Sequence, residues 1–270
     1  MNNRRAFLTQ IAAVTALSPV LAAQTAAVPS KSPRFKLRFA TASDGHFGQP
    51  ETDFELFYRE MIGWLNEESR ARGLDFVVFN GDMFHEDPSL LPKLKERLDK
   101  LEVPYFVNRG NHDKASPEVW KQTWGYLENH DFEQGDYAVL LASTSNQKGE
   151  YLPADVKWLR DRLEFYKGKK AIFPFLHIAQ VKVTQHSISR PEVTDVLEQA
   201  ANVVAVFHGH DHDIDNVIHW KNRRYFFDGH MGGNWGANYR GYRIVEVPEE
   251  GRIRTYQCNP QAFRVNGATL

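Results

Sequence analysis

One cysteine, Cys258, is all the thiol chemistry this 270-residue chain has. An internal disulfide and any cluster of thiolate ligands are therefore excluded, and with them disulfide scaffolds and cysteine-built zinc knots. A positive excess is also missing. Lys and Arg number 33 against 34 Asp and Glu, a formal charge of −1, which gives no footing for nucleic acid as a partner. No internal repeat and no H-E-x-x-H motif is present, and the longest apolar stretch, residues 11–23, is too short to cross a bilayer. What the chain does have is 42% hydrophobic and 13% aromatic residues, ample for the core of one globular domain.

The first residues do not read as part of that domain. "MNNRRAFLTQ" sets Arg4-Arg5 ahead of "AFL", an uncharged apolar segment follows, and small residues near Ala22 and Ala23 offer a cleavage point. A basic start, a short apolar middle and small residues make an export signal, here of the twin-arginine type. Residues 1–23 are expected to be that signal, 24–34 a polar linker, and 35–270 the folded domain. The mature protein is then periplasmic or secreted, with no membrane contact after signal removal.

Apolar runs alternate with segments of helical spacing through residue 207. "FELFYREMIGWLNEESRA", for example, places Phe54, Leu56, Met61 and Leu65 on one face, and Ser116-Pro117 opens a helix as cap and first residue. Toward the C-terminus "RRYFFDG", "YRIVEV" and "RIRTYQC" read as an antiparallel meander. Alternation followed by a strand-rich tail predicts an α/β fold, two sheets packed face to face with helices outside.

Five of the apolar runs end alike. "RFATAS" runs into Asp44-Gly45-His46, "FVVFN" into Gly81-Asp82, and "PYFVNR" into Gly110-Asn111-His112-Asp113. "IFPFL" runs into His177 and "VVAVF" into His208-Gly209-His210-Asp211-His212. In α/β sheets the binding crevice lies beyond the carboxyl ends of the strands. Carboxylate, imidazole and amide oxygen, with no thiolate, favour Mn, Fe or Zn. Two carboxylates shared by two divalent ions leave positive charge over, which suits a hydroxide and a phosphoryl group.

Taken in order, these blocks resemble the signature of the calcineurin-like metallophosphoesterases: D-x-H as "DGH", G-D, G-N-H-D, a lone histidine and G-H-x-H as "GHDH". The resemblance spans about residues 35 to 258 and implies a four-layer α/β/β/α sandwich of two mixed sheets. It implies Asp44, His46, Asp82 and His212 as ligands of one metal ion, and Asp82, Asn111, His177 and His210 as ligands of a second, with Asp82 bridging. It implies a metal-bridging hydroxide as nucleophile and His112 as general acid, a role for which imidazole titrates in the useful range. Asp113 is grouped with His112 at the catalytic loop, where it orients the chain.

One departure stands three residues after the bridging acid. Protein phosphatases place there an aspartate that pairs with the catalytic histidine, and purple acid phosphatases place a ligating tyrosine; this chain has His85. It is open as an extra ligand, a partner to His112, a substrate contact or a spectator. Arg109, and His230 and Trp235 in the glycine-rich "DGHMGGNWG", are further candidates for substrate contact, and His186 for the pocket rim. The expected partner is a small-molecule phosphate ester, diester or monoester. The alternatives are a catalytically silent metal-binding protein of this fold and a two-metal amidase.

Overall fold

The computed structural model describes residues 35–260 and the backbone of 263–269; the expected signal and linker lie outside these residues. In chain order the elements are β1 (Phe35–Ala42), α1 (Phe54–Arg72), β2 (Phe76–Asn80), α2 (Leu91–Leu98), β3 (Tyr105–Asn108), α3 (Pro117–Trp124), β4 (His130–Gln134), β5 (Tyr137–Leu141), α4 (Val156–Phe165), β6 (Ala171–Phe175), α5 (Pro191–Gln199), β7 (Val206–His208), β8 (Val217–Trp220), β9 (Arg223–Phe227), β10 (Tyr242–Pro248), β11 (Arg254–Asn259) and β12 (Phe263–Thr269).

They form two six-stranded mixed sheets, ordered β12-β11-β10-β1-β2-β3 and β4-β5-β6-β7-β9-β8. In the first sheet β1, β2 and β3 are parallel and run out to the β3 edge, with β10, β11 and β12 joined by antiparallel pairing on the other side; in the second β5, β6, β7 and β9 are parallel, with β4 and β8 antiparallel at the edges. Side-chain alternation then sorts the core into layers. Leu37 and Phe39 of β1, Phe76 and Val78 of β2, and Val139 and Leu141 of β5 meet between the sheets. Their neighbours Ala40, Ala42, Val77 and Phe79 face α1, α2 and α3, while Ala138 and Leu140 face α4 and α5. This is the expected four-layer sandwich. Three of the five described helices, α1, α3 and α4, start at side-chain caps: Asp53, Ser116 and Asp155 accept from the amides of Leu56, Val119 and Trp158.

The expected C-terminal meander is corrected. β9 pairs with β7 and β8 in the second sheet, whereas β10 pairs with β1 and β11 in the first. The glycine-rich loop 228–241 therefore crosses from one sheet to the other instead of turning a hairpin. Its start is fastened inside the core: Arg243 Nε donates to Asp228 Oδ1 at 2.7 Å, and Thr41 Oγ1 donates to Oδ2 at 3.1 Å.

A pair of asparagines ties the sheets together where the crevice begins. Asn80 and Asn108 are register partners at the ends of β2 and β3, and both are fully buried. Asn108 Nδ2 donates to Asn80 Oδ1 at 2.9 Å and to the Phe175 carbonyl at 3.2 Å; Asn80 Nδ2 donates to the Phe207 carbonyl at 3.1 Å. Each amide side chain thus adds a second donor to a strand-end carbonyl that already accepts along its own sheet, Phe175 from the Ala142 N–H and Phe207 from the Leu176 N–H, both at 3.0 Å, and so bonds one sheet to the other.

Candidate metal centre

The loops that follow β1, β2, β3, β6 and β7 converge beyond the strand ends. Asp44, His46 and His212 bring one donor atom each within 4.8 Å of one another, and Asp82, His177 and His210 do the same. His212 Nε2 lies 3.1 Å from both Asp44 Oδ1 and His46 Nε2. Asp82 Oδ2 lies 3.1 Å from His177 Nε2 and 3.9 Å from His46 Nε2, so this carboxylate sits between the two groups. The loop after β3 lays Gly110 against Asp82, and the buried Asn111 follows it.

Several of these groups make sense only around an ion. Nε2 of His210 and Oδ1 of Asn111 are buried without a hydrogen-bond partner, and Nε2 of His177 faces the Asp82 carboxylate, an arrangement that native interiors rarely leave unexplained. The opposite ring nitrogens of two of the histidines are spoken for. His177 Nδ1 donates to the Asn80 carbonyl at 2.7 Å, and His212 Nδ1 to the Trp235 carbonyl at 3.1 Å. That fixes the tautomer whose Nε2 lone pair points into the centre, the usual outer-shell device for a metal-binding imidazole. The backbone is committed as well: Asp44, His46, Asp82 and His210 all hold the left-handed conformation, at φ 57°, 45°, 54° and 69°. Non-glycine residues adopt it at a cost, and such strain gathers at functional sites.

Each carboxylate is aimed by an amide from another loop. His210 N–H donates to Asp44 Oδ2 at 2.9 Å, and His112 N–H to Asp82 Oδ1 at 2.7 Å. Burial alone would push both acids up, but the imidazoles outweigh it: His212 and His177 bring Asp44 down to about 2, and His177 and His46 hold Asp82 well below the carboxylate range. Burial likewise pulls every imidazole down, and it prevails at His46 and His210, which fall to about 3. At His177 the Asp82 and Asp44 charges overturn it and raise the ring to about 10; Asp44 raises His212 in the same way. The second group therefore pairs a neutral imidazole, His210, with one that must lose a proton to a metal ion, His177.

The other expected residues divide. His112 stands at the mouth, its side chain 33% exposed and its Nδ1 3.4 Å from Glu86 Oε1, outside hydrogen-bonding geometry; Lys114 pairs with Glu86 at 2.7 Å. His85, His46 and His112 pack as a triangle of rings: His85 Nδ1 is 3.2 Å from His46 Nδ1, its ring stacks on His112 with centroids 5.0 Å apart at 14°, and His46 meets His112 directly at 4.9 Å. Trp235 also reaches the centre, lying flat on His212 at 4.2 Å and 6°.

Two expectations need correction. Arg109 is fully buried; its guanidinium pairs with Glu128, donates to the Ala115 carbonyl and lies over Trp120, because the strand end turns it under α3 and away from the crevice. His230 is buried behind His212, stacked on it at 5.4 Å and 12°, with both ring nitrogens on the carbonyls of Gly232 and Ala237; it braces the loop rather than facing substrate. Asp113 holds the catalytic loop in place: its carboxylate accepts from the amides of Met83, Phe84 and Gly110, and burial with the Asp82 charge pushes it up to about 7. The sequence reading missed Asn80, Asn108 and Tyr151. The asparagines left a signal, since "FVVFN" and "PYFVN" end in the same residue just before the glycine turns; Tyr151, in a loop of no marked pattern, left none.

This fold and floor define a two-centre phosphoesterase architecture, and the chain belongs to the calcineurin-like phosphoesterases, whose family model matches residues 37–213. It is 28% identical over 161 residues to a probable glycerophosphodiester phosphodiesterase, GpdQ, of Arcobacter nitrofigilis, a match covering 53% of this chain and 59% of that protein. It is 22% identical over 172 residues to the uncharacterized protein YvnB of Bacillus subtilis, covering 55% of this chain and 13% of that one. The chain thus spans less than two thirds of both relatives. Among solved structures, a dimetal phosphatase of Danio rerio superimposes with a TM-score of 0.68 at 13% identity, over 87% of this chain and 99% of that one. A purple acid phosphatase of yellow lupin gives 0.63 at 12% identity, over 88% and 55%. At such identities the structures share the fold.

Proposed function

We propose that this protein is an exported two-metal hydrolase of small phosphate esters. The observation that carries the reading is the convergence of five strand-end loops on a buried floor of strained Asp and His residues whose free nitrogens face inward. Asp44, His46, Asp82 and His212 would hold one ion and Asp82, Asn111, His177 and His210 the other, and Mn, Fe or Zn suits this thiolate-free set. When bound, such a pair supplies an activated water and the positive charge that phosphoryl transfer needs. The chain's own part is positional. Asp82 and Asp44 are held by backbone amides, and Asp113 ties the loops after β2 and β3 together. His112, anchored through its N–H to Asp82, presents its ring at the mouth and protonates the departing oxygen. His85 fixes the ring from behind.

The named activity of the Arcobacter relative supports a diester over a monoester. The complete donor set beside an intact His112 argues against a silent binding protein. Metal content and hydrolysis of bis-p-nitrophenyl phosphate and p-nitrophenyl phosphate should be measured on wild type and His112→Ala. The expected outcome is two metals in both proteins, faster diester cleavage by wild type, and a loss of about 10²–10⁴ in the variant. Two metals with no cleavage of either ester would sink the reading. Export rests on Arg4-Arg5 and the apolar segment after them; Lys at both positions should trap the precursor inside the cell, and undisturbed export would exclude the twin-arginine route.

A further inference from the structure

The rim of this centre is built differently on its two sides. By His112 it is charged, with Glu86 and Lys114 paired there. By His210 and His212 it is aromatic. Tyr151 stands across His210, centroids 5.0 Å apart at 88°. His186 meets His210 at 6.0 Å and 87°, and Trp235 at 5.6 Å and 60°. Trp235 covers His212 with its inner face. The rings of Tyr151, His186 and Trp235 thus make one wall around imidazoles from both ligand groups.

That wall is open. Tyr151 is 39% exposed, its neighbour Leu152 39% and Trp235 43%, in a protein that buries most of its large apolar side chains. Exposed aromatic surface beside a polar floor marks a place that something covers. Its chemistry narrows what that is. A polyol is recognised by a set of hydrogen-bonding groups that pair with its hydroxyls; this wall has ring faces, ring edges and, for polar groups, the Tyr151 hydroxyl and the His186 nitrogens. Ring faces beside an anion-binding floor suit a flat π-system attached to a phosphate.

We infer that Tyr151, His186 and Trp235 form a subsite for a planar aromatic group, a nucleobase or an aryl ring, on the ester being hydrolysed. The subsite rests on the phosphoesterase reading above and gives it a substrate class: the outer face of Trp235 stacks on the group, Tyr151 and His186 bound it edge-on, and the phosphate lies over the metal floor.

The test compares kcat/KM for the methyl diesters of adenosine 5′-phosphate, phenyl phosphate and glycerol 3-phosphate, in the metal-loaded wild type and in Tyr151→Ala, His186→Ala and Trp235→Ala. Wild type should prefer the aromatic esters. Each variant should lower the ratio of an aromatic ester to the glycerol ester, by about tenfold for Trp235→Ala, mainly through KM. A ratio lost only for adenosine assigns a nucleobase; a ratio lost equally for phenyl assigns any aryl ring. A ratio that stays constant in all three variants, even if overall rates fall, overturns the subsite while leaving the phosphoesterase intact. A second readout is independent of turnover: adenosine 5′-phosphate should quench tryptophan fluorescence more than glycerol 3-phosphate does, and less in Tyr151→Ala than in wild type. Quenching without hydrolysis of any ester would keep the subsite and sink the phosphoesterase; equal quenching by both ligands would count against the subsite.

Discussion

The two ligand groups of the floor are alike in donors and unlike in support. Asp82, His177 and His210 rest on the sheets. His177 is fully buried and bonded to the end of β2, and the Asn80–Asn108 pair beneath it bonds the ends of β6 and β7. Asp44, His46 and His212 rest on loops. His212 is sandwiched between His230 and Trp235 of the loop 228–241, and His46 leans on His85. The lesson is that His177 shares the support of the buried sheets, whereas His212 depends on packing from the loop 228–241, and loop segments open at lower cost than core strands. Metal should leave the loop-supported half first.

Asp82 is the group the two halves share, so breaking it should erase the comparison. Asp82→Ala is expected to lower metal content from about two ions per chain to well under one, with hydrolysis lost by orders of magnitude; elemental analysis after gel filtration checks this. An ion retained at full occupancy would show that the halves are independent.

Two glycines separate the halves. Gly81 has φ 94°, and a Cβ there would fall on the His177 ring; Gly236 has φ 114°, and a Cβ there would fall on the backbone of His212. Gly81→Ala should cost the sheet-supported ion together with several degrees of melting temperature. Gly236→Ala should cost the loop-supported ion with little change in melting. Equal effects in both assays would dissolve the distinction.

The halves should also differ in pH response. In the metal-free protein burial opposes the His177 imidazolium, but Asp82 and Asp44 stabilise it more, and its pKa stands at about 10. Its contribution to stability is full below the ordinary imidazole value of about 6.5 and is lost as pH rises through about 10. A metal ion must displace that proton, so affinity of the sheet-supported half should rise about tenfold per pH unit through neutrality and level off near the pKa. Titration calorimetry in buffers of different ionisation enthalpy reads the proton released. A pH-independent affinity would contradict the assigned ligand state.

The smallest effect belongs to the asparagines. Asn108→Ala leaves the buried Asn80 Oδ1 without its donor, while the Phe175 carbonyl keeps the Ala142 N–H; this should destabilise the fold by about 1–3 kcal/mol in metal-free and metal-loaded protein alike. Denaturant melts of both forms check it; a loss seen only with metal bound would move Asn108 from the scaffold into the centre.

Much of this molecule was legible in its sequence because the relevant signals are local. Period-two apolar runs, helical spacing and capping residues gave the layers, and strand ends followed by Gly with Asp, Asn or His pointed to Asp44, His46, Asp82, Asn111, His177, His210 and His212. What stayed illegible depends on where side chains turn after the chain leaves a strand. Arg109 and His230 look like anion and substrate contacts in sequence, yet packing sends one under α3 and the other behind His212. β9 and β10 look like consecutive strands of a meander, yet they belong to opposite sheets, because a strand's partner is chosen by the core it buries rather than by its neighbour in the chain. The sequence by itself determined the chemistry of the floor, since donor type and order are properties of residues. Only the tertiary structure decided which half rests on sheet and which on loop, and which aromatic rings are left uncovered at the rim, because both follow from contacts between residues far apart along the chain.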